Sequence, residues 1–417
     1  MILFLDLNSF FASVEQQLQP HLRGRPVGII PNDCNSTCCI AASYEAKHFG
    51  IKTGCGVREA HEKCPGITLV LARPDEYIKA HHKILEAVDT VYPVHGVYSV
   101  DEMSFNLTGP DQPVSRAREI AMRLKQAIRD IAGEYLRCSI GIAPNRMLAK
   151  TASNMMKPDG LVVIERKDIP ERLHALDITD FPGIADGIRN RLHRYGIHTT
   201  YQLCRASKPT LKRAWGGVLG EIWWHWLRGD EPHIATTKRR NCGHQHVLAP
   251  ELREAEKARS VAIRLLHKAA ARMRYEGFWC TKLTLNIKPV EAPSWAAYVN
   301  LEPCQDTVRL LHHLDQLWKP QPHAFIFCVG VTLGGLVKDA QIEQPLFEQD
   351  RKNTTLAHTM DKINRKHGHA SIYYGAMHAA KDAAPRRIPF TTVPDLDLPD
   401  TGGMGAFKQD SLKRKQA

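Results

Sequence analysis

The chain has 417 residues, 43% hydrophobic and 24% charged, with 56 Lys and Arg against 44 Asp and Glu for a formal net charge of +12. That length calls for several cores rather than one, and the composition excludes a disordered, fibrous or collagen-like protein. No apolar run approaches the roughly 18 residues that span a bilayer, and residues 1–11 contain Asp6 without a basic start, so a cytoplasmic protein with no membrane partner is expected.

The basic excess makes phosphate-rich partners the first to consider, although a generally basic solvated surface fits the charge alone equally well. The eleven cysteines are odd in number and scattered, which suits reduced thiols. Cys34, Cys38 and Cys39 lack a Cys-x-x-Cys spacing and read as structural, with metal binding the lesser alternative.

Residues 2–5 form a short buried-strand run ending in Asp6, and 8–18 read as a helix with Phe10, Val14 and Leu18 at four-residue spacing. A strand is expected at 27–30 and a helix at 41–49, stopped by Gly50. Residues 97–107 are strand-rich around Asp101 and Glu102, and 139–142 form a strand that enters a helix at Pro144-Asn145. Alternating strands and helices imply a mixed α/β unit to about residue 163.

From Asp177 the pattern changes to a short helix, a Phe181-Pro182-Gly183-Ile184 hairpin and a second helix carrying Arg189, Arg191 and Arg194. A polar connector with Lys238, Arg239 and Arg240 leads to a long helix over about 251–275, whose Arg264, Lys268 and Arg272 fall on a stripe apart from its apolar positions. Residues 282–288 alternate, with Leu283, Leu285 and Ile287 on one face and Lys282, Thr284, Asn286 and Lys288 on the other. With a second strand at 325–333, the region 244–338 should be a sheet backed by helices, its polar face exposed. One further helix at 356–366 precedes a basic end whose last residues should be mobile.

An ionised carboxylate within an apolar strand is costly unless a positive charge compensates it. Asp6, Asp101 and Glu102 at strand positions therefore suggest a divalent metal held by hard oxygens, suited to phosphoryl transfer. Spacing alone leaves each acid open to being a satisfied turn or surface residue. Adjacent strand residues point to opposite faces, so Asp101 and Glu102 converge only if the backbone turns there.

The stretch Met1-Ile2-Leu3-Phe4-Leu5-Asp6-Leu7-Asn8-Ser9-Phe10-Phe11 resembles the opening of a Y-family translesion DNA polymerase of the DinB/UmuC type. Four further motifs follow in family order: Ala42-Ser43-Tyr44-Glu45-Ala46-Lys47, Tyr98-Ser99-Val100-Asp101-Glu102, Gly141-Ile142-Ala143-Pro144-Asn145, and Ala149-Lys150-Thr151-Ala152-Ser153 through Lys157-Pro158-Asp159-Gly160. The resemblance implies a right-hand polymerase of multidomain α/β and α+β class. Its parts would be a palm at 1–17 and 74–163, fingers at 18–73, a helix-hairpin-helix thumb at 164–230, a basic linker at 231–243, a little finger at 244–338 and a tail at 339–417.

It further implies template-directed addition of dNTPs to a primer 3′ end, used for translesion synthesis in DNA repair and the SOS response. Two Mg²⁺ ions, with Mn²⁺ as a substitute, would sit on Asp6, Asp101, Glu102 and the Leu7 carbonyl. Phe11 corresponds to the steric gate, and Phe10, Phe11, Tyr44, Lys47 and Lys157 to the dNTP-binding set. Gly183, Ile184 and Ala185 of the hairpin, with Lys238, Arg239, Arg240, Lys282 and Lys288, would track DNA phosphates, as would the helix stripe.

Asn8 matches the Asp-x-Asn opening of UmuC types, Ala41 stands where many relatives have Thr, and Lys47 replaces a common Arg. Gln344, Leu346 and Phe347 partly match a sliding-clamp peptide, with a plain linker as the alternative. A monomer bound to primer-template DNA and dNTP is expected. The competing readings are a catalytically impaired accessory subunit of a mutagenesis complex and a nucleotidyl cyclase, the latter leaving the DNA modules unexplained.

Overall fold

A computed structural model of the chain describes residues 1–234, 240–322, 324–342, 348–368, 370–385, 387, 388 and 393. They fall into two compact units, the first running through residue 234 and the second starting at 240. No helix among them is long and apolar enough to cross a membrane.

The first unit opens with β1 (Ile2–Leu7) and α1 (Phe10–Leu18), followed by β2 (Val27–Ile30), β3 (Ala41–Ala42), α2 (Tyr44–His48), α3 (Val57–Lys63) and β4 (Thr68–Leu71). Next come α4 (Pro74–Asp89), β5 (Gly96–Val97), β6 (Glu102–Asn106), α5 (Val114–Ala127), β7 (Cys138–Ala143), α6 (Arg146–Met155) and β8 (Leu161–Val163). Four helices complete the unit: α7 (Asp186–Arg194), α8 (Thr200–Arg205), α9 (Lys208–Trp215) and α10 (Val218–Trp226).

Five strands form one sheet in the order β5-β6-β1-β7-β8, with β1 central and antiparallel to both neighbours. Leu3, Phe4 and Leu5 are at most 1% exposed, as a strand covered on both faces requires. A Cβ on Gly141 would meet the Ala149 carbonyl oxygen at 1.9 Å, so the glycine is what lets α6 lie close on β7. Asn145 caps α6 by accepting from Leu148 N at 2.9 Å and donates to the Trp226 and Asp230 carbonyls at 2.8 and 3.0 Å. The Gly141–Asn145 segment therefore packs the sheet and ties the end of α10 to it.

A second sheet, ordered β3-β2-β4, has its own core around Ile30, Cys39, Ile51, Cys55 and Cys64, and all eleven cysteines are free. The helix expected from Ala41 starts later, because Ala41 and Ala42 pair with β2 and Ser43 caps α2 by accepting from Ala46 N. Leu18, expected on the buried stripe of α1, is 49% exposed at the helix end.

The second unit comprises β9 (Asn241–Val247), α11 (Ala255–Tyr275), β10 (Phe278–Pro289), β11 (Trp295–Cys304), α12 (Thr307–Trp318), β12 (Ile326–Gly334), β13 (Val337–Lys338) and α13 (Glu348–His367). Its antiparallel sheet runs β11-β10-β12-β9, with β13 paired to β10. Leu283, Leu285 and Ile287 pair with Leu333, Val331 and Val329, and all six are at most 1% exposed. The connector is shorter than expected, since Asn241, Cys242 and Gly243 already belong to β9.

Two expectations are overturned here. Arg264, Lys268 and Arg272 do not form an open phosphate-tracking stripe: they are 2%, 7% and 6% exposed. Arg264 donates to the Ala383 carbonyl, Lys268 to that of Ala384 at 2.8 Å, and Arg272 to Gly243 at 3.3 Å. The physical cause is the second correction: residues 370–385, expected as tail, pack over α11 with Met377, Ala380 and Ala384 in the core.

Candidate active site

Strand register sets the site, for Asp6 lies opposite Glu102 on β6 and opposite Ser139 on β7. Tyr98 N donates to the Glu102 carbonyl at 2.9 Å, closing a hairpin whose tip is Ser99, Val100 and Asp101. Leu7 N donates to the Asp101 carbonyl at 2.8 Å. Asp101 therefore belongs to a loop and Glu102 to a strand, which is the turn that two consecutive acids need if they are to share an edge.

Asp6 is 6% exposed, and burial pushes its carboxyl up to about 6, opposed by Lys157 and reinforced by the charges of Asp101 and Glu102. Burial also raises Asp101, against a hydrogen bond from Ser99. The carboxylates are not drawn together into one ligand set. Lys157 Nζ donates to Asp6 Oδ1 at 2.6 Å, Lys150 Nζ to Glu102 Oε2 at 2.7 Å, and Ser99 Oγ to Asp101 Oδ1 at 2.5 Å. Among the described residues no three His, Cys, Asp or Glu side chains are arranged to hold a metal ion. The chemistry of the donors nevertheless fits one: buried hard oxygens repel one another, and two ammonium groups already supply positive charge there.

Beside Asp6, Ser9 takes a left-handed conformation (φ 49°, ψ 43°) ahead of α1. Lys47 Nζ donates to Ser9 Oγ at 2.7 Å and lies 4.4 Å from the centre of the Tyr44 ring. Tyr44, Lys47 and Lys157 thus gather at one end of β1 with the first turn of α1. Phe11 stacks on Tyr77 at 4.4 Å and 14°, and Tyr77 Oη donates to Glu15 Oε1 at 2.9 Å. Glu15 is fully buried and also accepts from Arg73. The Phe10 ring, unlike a side chain open to a ligand, is 4% exposed in the core.

Ser9, Lys150 and Tyr77 were not among the expected site residues. Ser9 and Lys150 lie within the quoted motifs, but a lysine four positions into a helix carries no signal of a carboxylate 48 residues earlier.

The DNA-binding candidates are dispersed. The first helix of the expected helix-hairpin-helix is a single 3-10 turn, Ile178–Asp180. Gly183 has φ 99°, Ala185 precedes α7 as its cap, and the Ile184 side chain is 3% exposed in the core, so this segment offers main chain to a phosphate. Lys282 and Lys288 share the outer face of the sheet of the second unit, with Nζ 3.7 Å from the Tyr298 ring centre and 5.4 Å from that of Phe327. Arg240 is exposed, whereas Lys238, Arg239, Gln344, Leu346 and Phe347 lie outside the described residues.

Residues 5–154 match the model of the impB/mucB/samB family, and residues 239–346 that of the same family's C-terminal domain. The chain belongs to this family, the Y-family DNA polymerases, on its DinB side. It is 33% identical over 384 residues to a protein of Moorella thermoacetica named DNA polymerase IV, covering 89% of this chain and 94% of that one. A namesake from Pelotomaculum thermopropionicum is 31% identical, with the same shares covered. Among solved structures, a Y-family DNA polymerase chimera of Dbh and Dpo4 matches with a TM-score of 0.67 at 23% identity, over 81% of this chain and 99% of that one. An insertion ternary complex of Dbh DNA polymerase matches with a TM-score of 0.56 at 22% identity, with the same shares.

Proposed function

We infer that this protein is a template-directed DNA polymerase that adds deoxynucleotides to a primer 3′ end and serves translesion synthesis. The observation that carries the reading is the meeting of Asp6, Asp101 and Glu102 at one sheet edge with the Ser9, Tyr44, Lys47 and Lys157 cluster. It is an acidic patch beside a basic one, as a metal-assisted reaction of a triphosphate requires.

Asp6, Asp101, Glu102 and the Leu7 carbonyl are the groups that would hold the divalent metal, two Mg²⁺ ions or Mn²⁺ in their place. Bound there, it would neutralise charge on the attacking and leaving oxygens. Lys157 and Lys150 now compensate the acids and are long enough to turn toward phosphate oxygens. Lys47 and Tyr44 orient the triphosphate against the amides at the start of α1. The Phe11 ring, backed by Tyr77, stands where the sugar lies and collides with a 2′ hydroxyl. Proton transfer needs no dedicated side-chain base in this scheme.

On the DNA side, the main chain at Gly183 and Ala185 and the side chains of Arg240, Lys282 and Lys288 contact backbone phosphates without reading sequence. The protein works as a cytoplasmic monomer, and residues 343–347 engage the sliding clamp. Alanines at Leu346 and Phe347 should abolish clamp pull-down, and retained capture would remove that partner. The test of the whole reading is primer extension with Mg²⁺ on undamaged and abasic templates. Extension on both is expected, while DNA binding without any extension would favour the accessory-subunit alternative.

A further inference from the structure

The hairpin tip that carries Asp101 is held from two sides. Its Asp101 carbonyl accepts from Leu7 N at 2.8 Å, a main-chain contact within the sheet. Its Val100 carbonyl accepts from His81 Nδ1 at 2.7 Å, a side chain that reaches across from α4. A carbonyl can only accept, so Nδ1 carries the proton and Nε2 keeps a lone pair. His81 is fully buried, and Nε2 has no hydrogen-bond partner. An unpaired buried polar atom destabilises the fold, so His81 is a poor choice for filling space, and what it supplies is a donor to the Val100 carbonyl.

We propose that His81 is a positioning residue for the reaction: by holding the Val100 carbonyl it fixes the tip that keeps Asp101 at the sheet edge carrying Asp6 and Glu102, despite the repulsion among the three acids. This rests on the polymerase reading of those acids. The side chain acts through the backbone, touching neither metal nor substrate. Without the donor the tip relaxes, Asp101 moves away from the shared edge, and the metal loses a ligand.

The test compares His81→Leu, which fills the space without a donor, with His81→Asn, whose Nδ2 stands near the place of Nδ1. Mn²⁺ binding is followed by electron paramagnetic resonance in the complex with dNTP and a dideoxy-terminated primer, where no turnover occurs. Steady-state kcat and KM for dNTP and the melting temperature are measured alongside. His81→Leu should weaken Mn²⁺ binding and lower kcat by about ten-fold each, with KM and DNA affinity little changed, and His81→Asn should recover most of both. If His81→Leu does not fold, His81→Ala takes its place in the comparison.

A lower melting temperature with unchanged Mn²⁺ affinity and kcat would reduce His81 to a core residue. Failure of His81→Asn to recover anything while folded would equally overturn the proposal. Asp101→Ala separates the two layers. If that variant binds Mn²⁺ and extends primers normally, the reading of the acids fails; if it is dead while His81→Leu is normal, only the positioning role fails.

Discussion

The sheet of the first unit gathers three acids at one edge, each held by its own partner, whereas the sheet of the second lays Lys282, Thr284, Asn286 and Lys288 along an open face. In the first, Asp6 is buried to 6% exposure, where a charge interacts strongly and a small displacement matters. In the second, Asn286 and Lys288 are exposed and salt screens them. On the proposed reading, chemistry that must place reacting atoms uses the buried edge, and binding that must accept any base sequence uses the open face.

The contrast is most easily broken at the acids. Asp101→Ala or Glu102→Ala should lower primer extension by on the order of 10³-fold with DNA affinity unchanged, measured by single-turnover kinetics. A loss below ten-fold would mean that the edge is no more concentrated in function than the open face. Next in size, Phe11→Ala should reduce discrimination against ribonucleotides by roughly ten- to a hundred-fold while dNTP incorporation changes little. Unchanged sugar selection would make Phe11 a packing residue.

Acid should separate the units by stability. In the second, burial pushes His246 down to about 4, His267 to about 3 and His244 well below its usual value, while in the first His81 falls to about 4. These imidazoles are neutral when folded and take up protons when unfolded. Their stabilisation is therefore full above about pH 6.5 and lost as pH falls from there toward 4. Asp6 and Asp101, raised by burial, shift the opposite way and relieve the first unit as they protonate. Hydrogen exchange at pH 7 and pH 5 should show the second unit losing protection first, by about 2 kcal/mol or more. Earlier opening of the first unit would contradict this.

What the sequence revealed follows the same division. The short apolar run ending in Asp6 reads as a buried strand and is β1, and the ordered motifs around it put forward the acids and Phe11 as site candidates. The alternation at Leu283, Leu285 and Ile287 exposed β10 in the same way. β9 escaped notice because Asn241-Cys242-Gly243-His244-Gln245-His246-Val247 has no apolar alternation and is held by pairing with β12. The stripe of Arg264, Lys268 and Arg272 misled for a related reason: periodicity shows which residues share a face, not that residues over a hundred positions later will cover it. Lys150 meets Glu102 and His81 the Val100 carbonyl only through tertiary contact, so no local pattern announces them, and Lys157, expected toward the triphosphate, is paired with Asp6.

The smallest effect belongs to the open face, and it can be stated sharply because the geometry limits the coupling. Lys282 and Lys288 lie six residues apart on β10, about 20 Å at the rise of an extended strand, which exceeds the Debye length of about 8 Å at physiological salt. They should act independently. Each alanine substitution should lower DNA affinity a few-fold, reduce the slope of log affinity against log salt by about one, and leave kcat at saturating DNA unchanged. The double variant should show the product of the two effects. Lys282 sits over the Tyr298 ring at 3.7 Å, while Lys288 is more exposed and farther, 5.4 Å, from the Phe327 ring, so Lys288→Ala should follow the salt rule more closely, while Lys282→Ala disturbs the closer aromatic contact. A single substitution that abolished extension, or a double variant far worse than the product, would show the sheet of the second unit to be a focused site like that of the first.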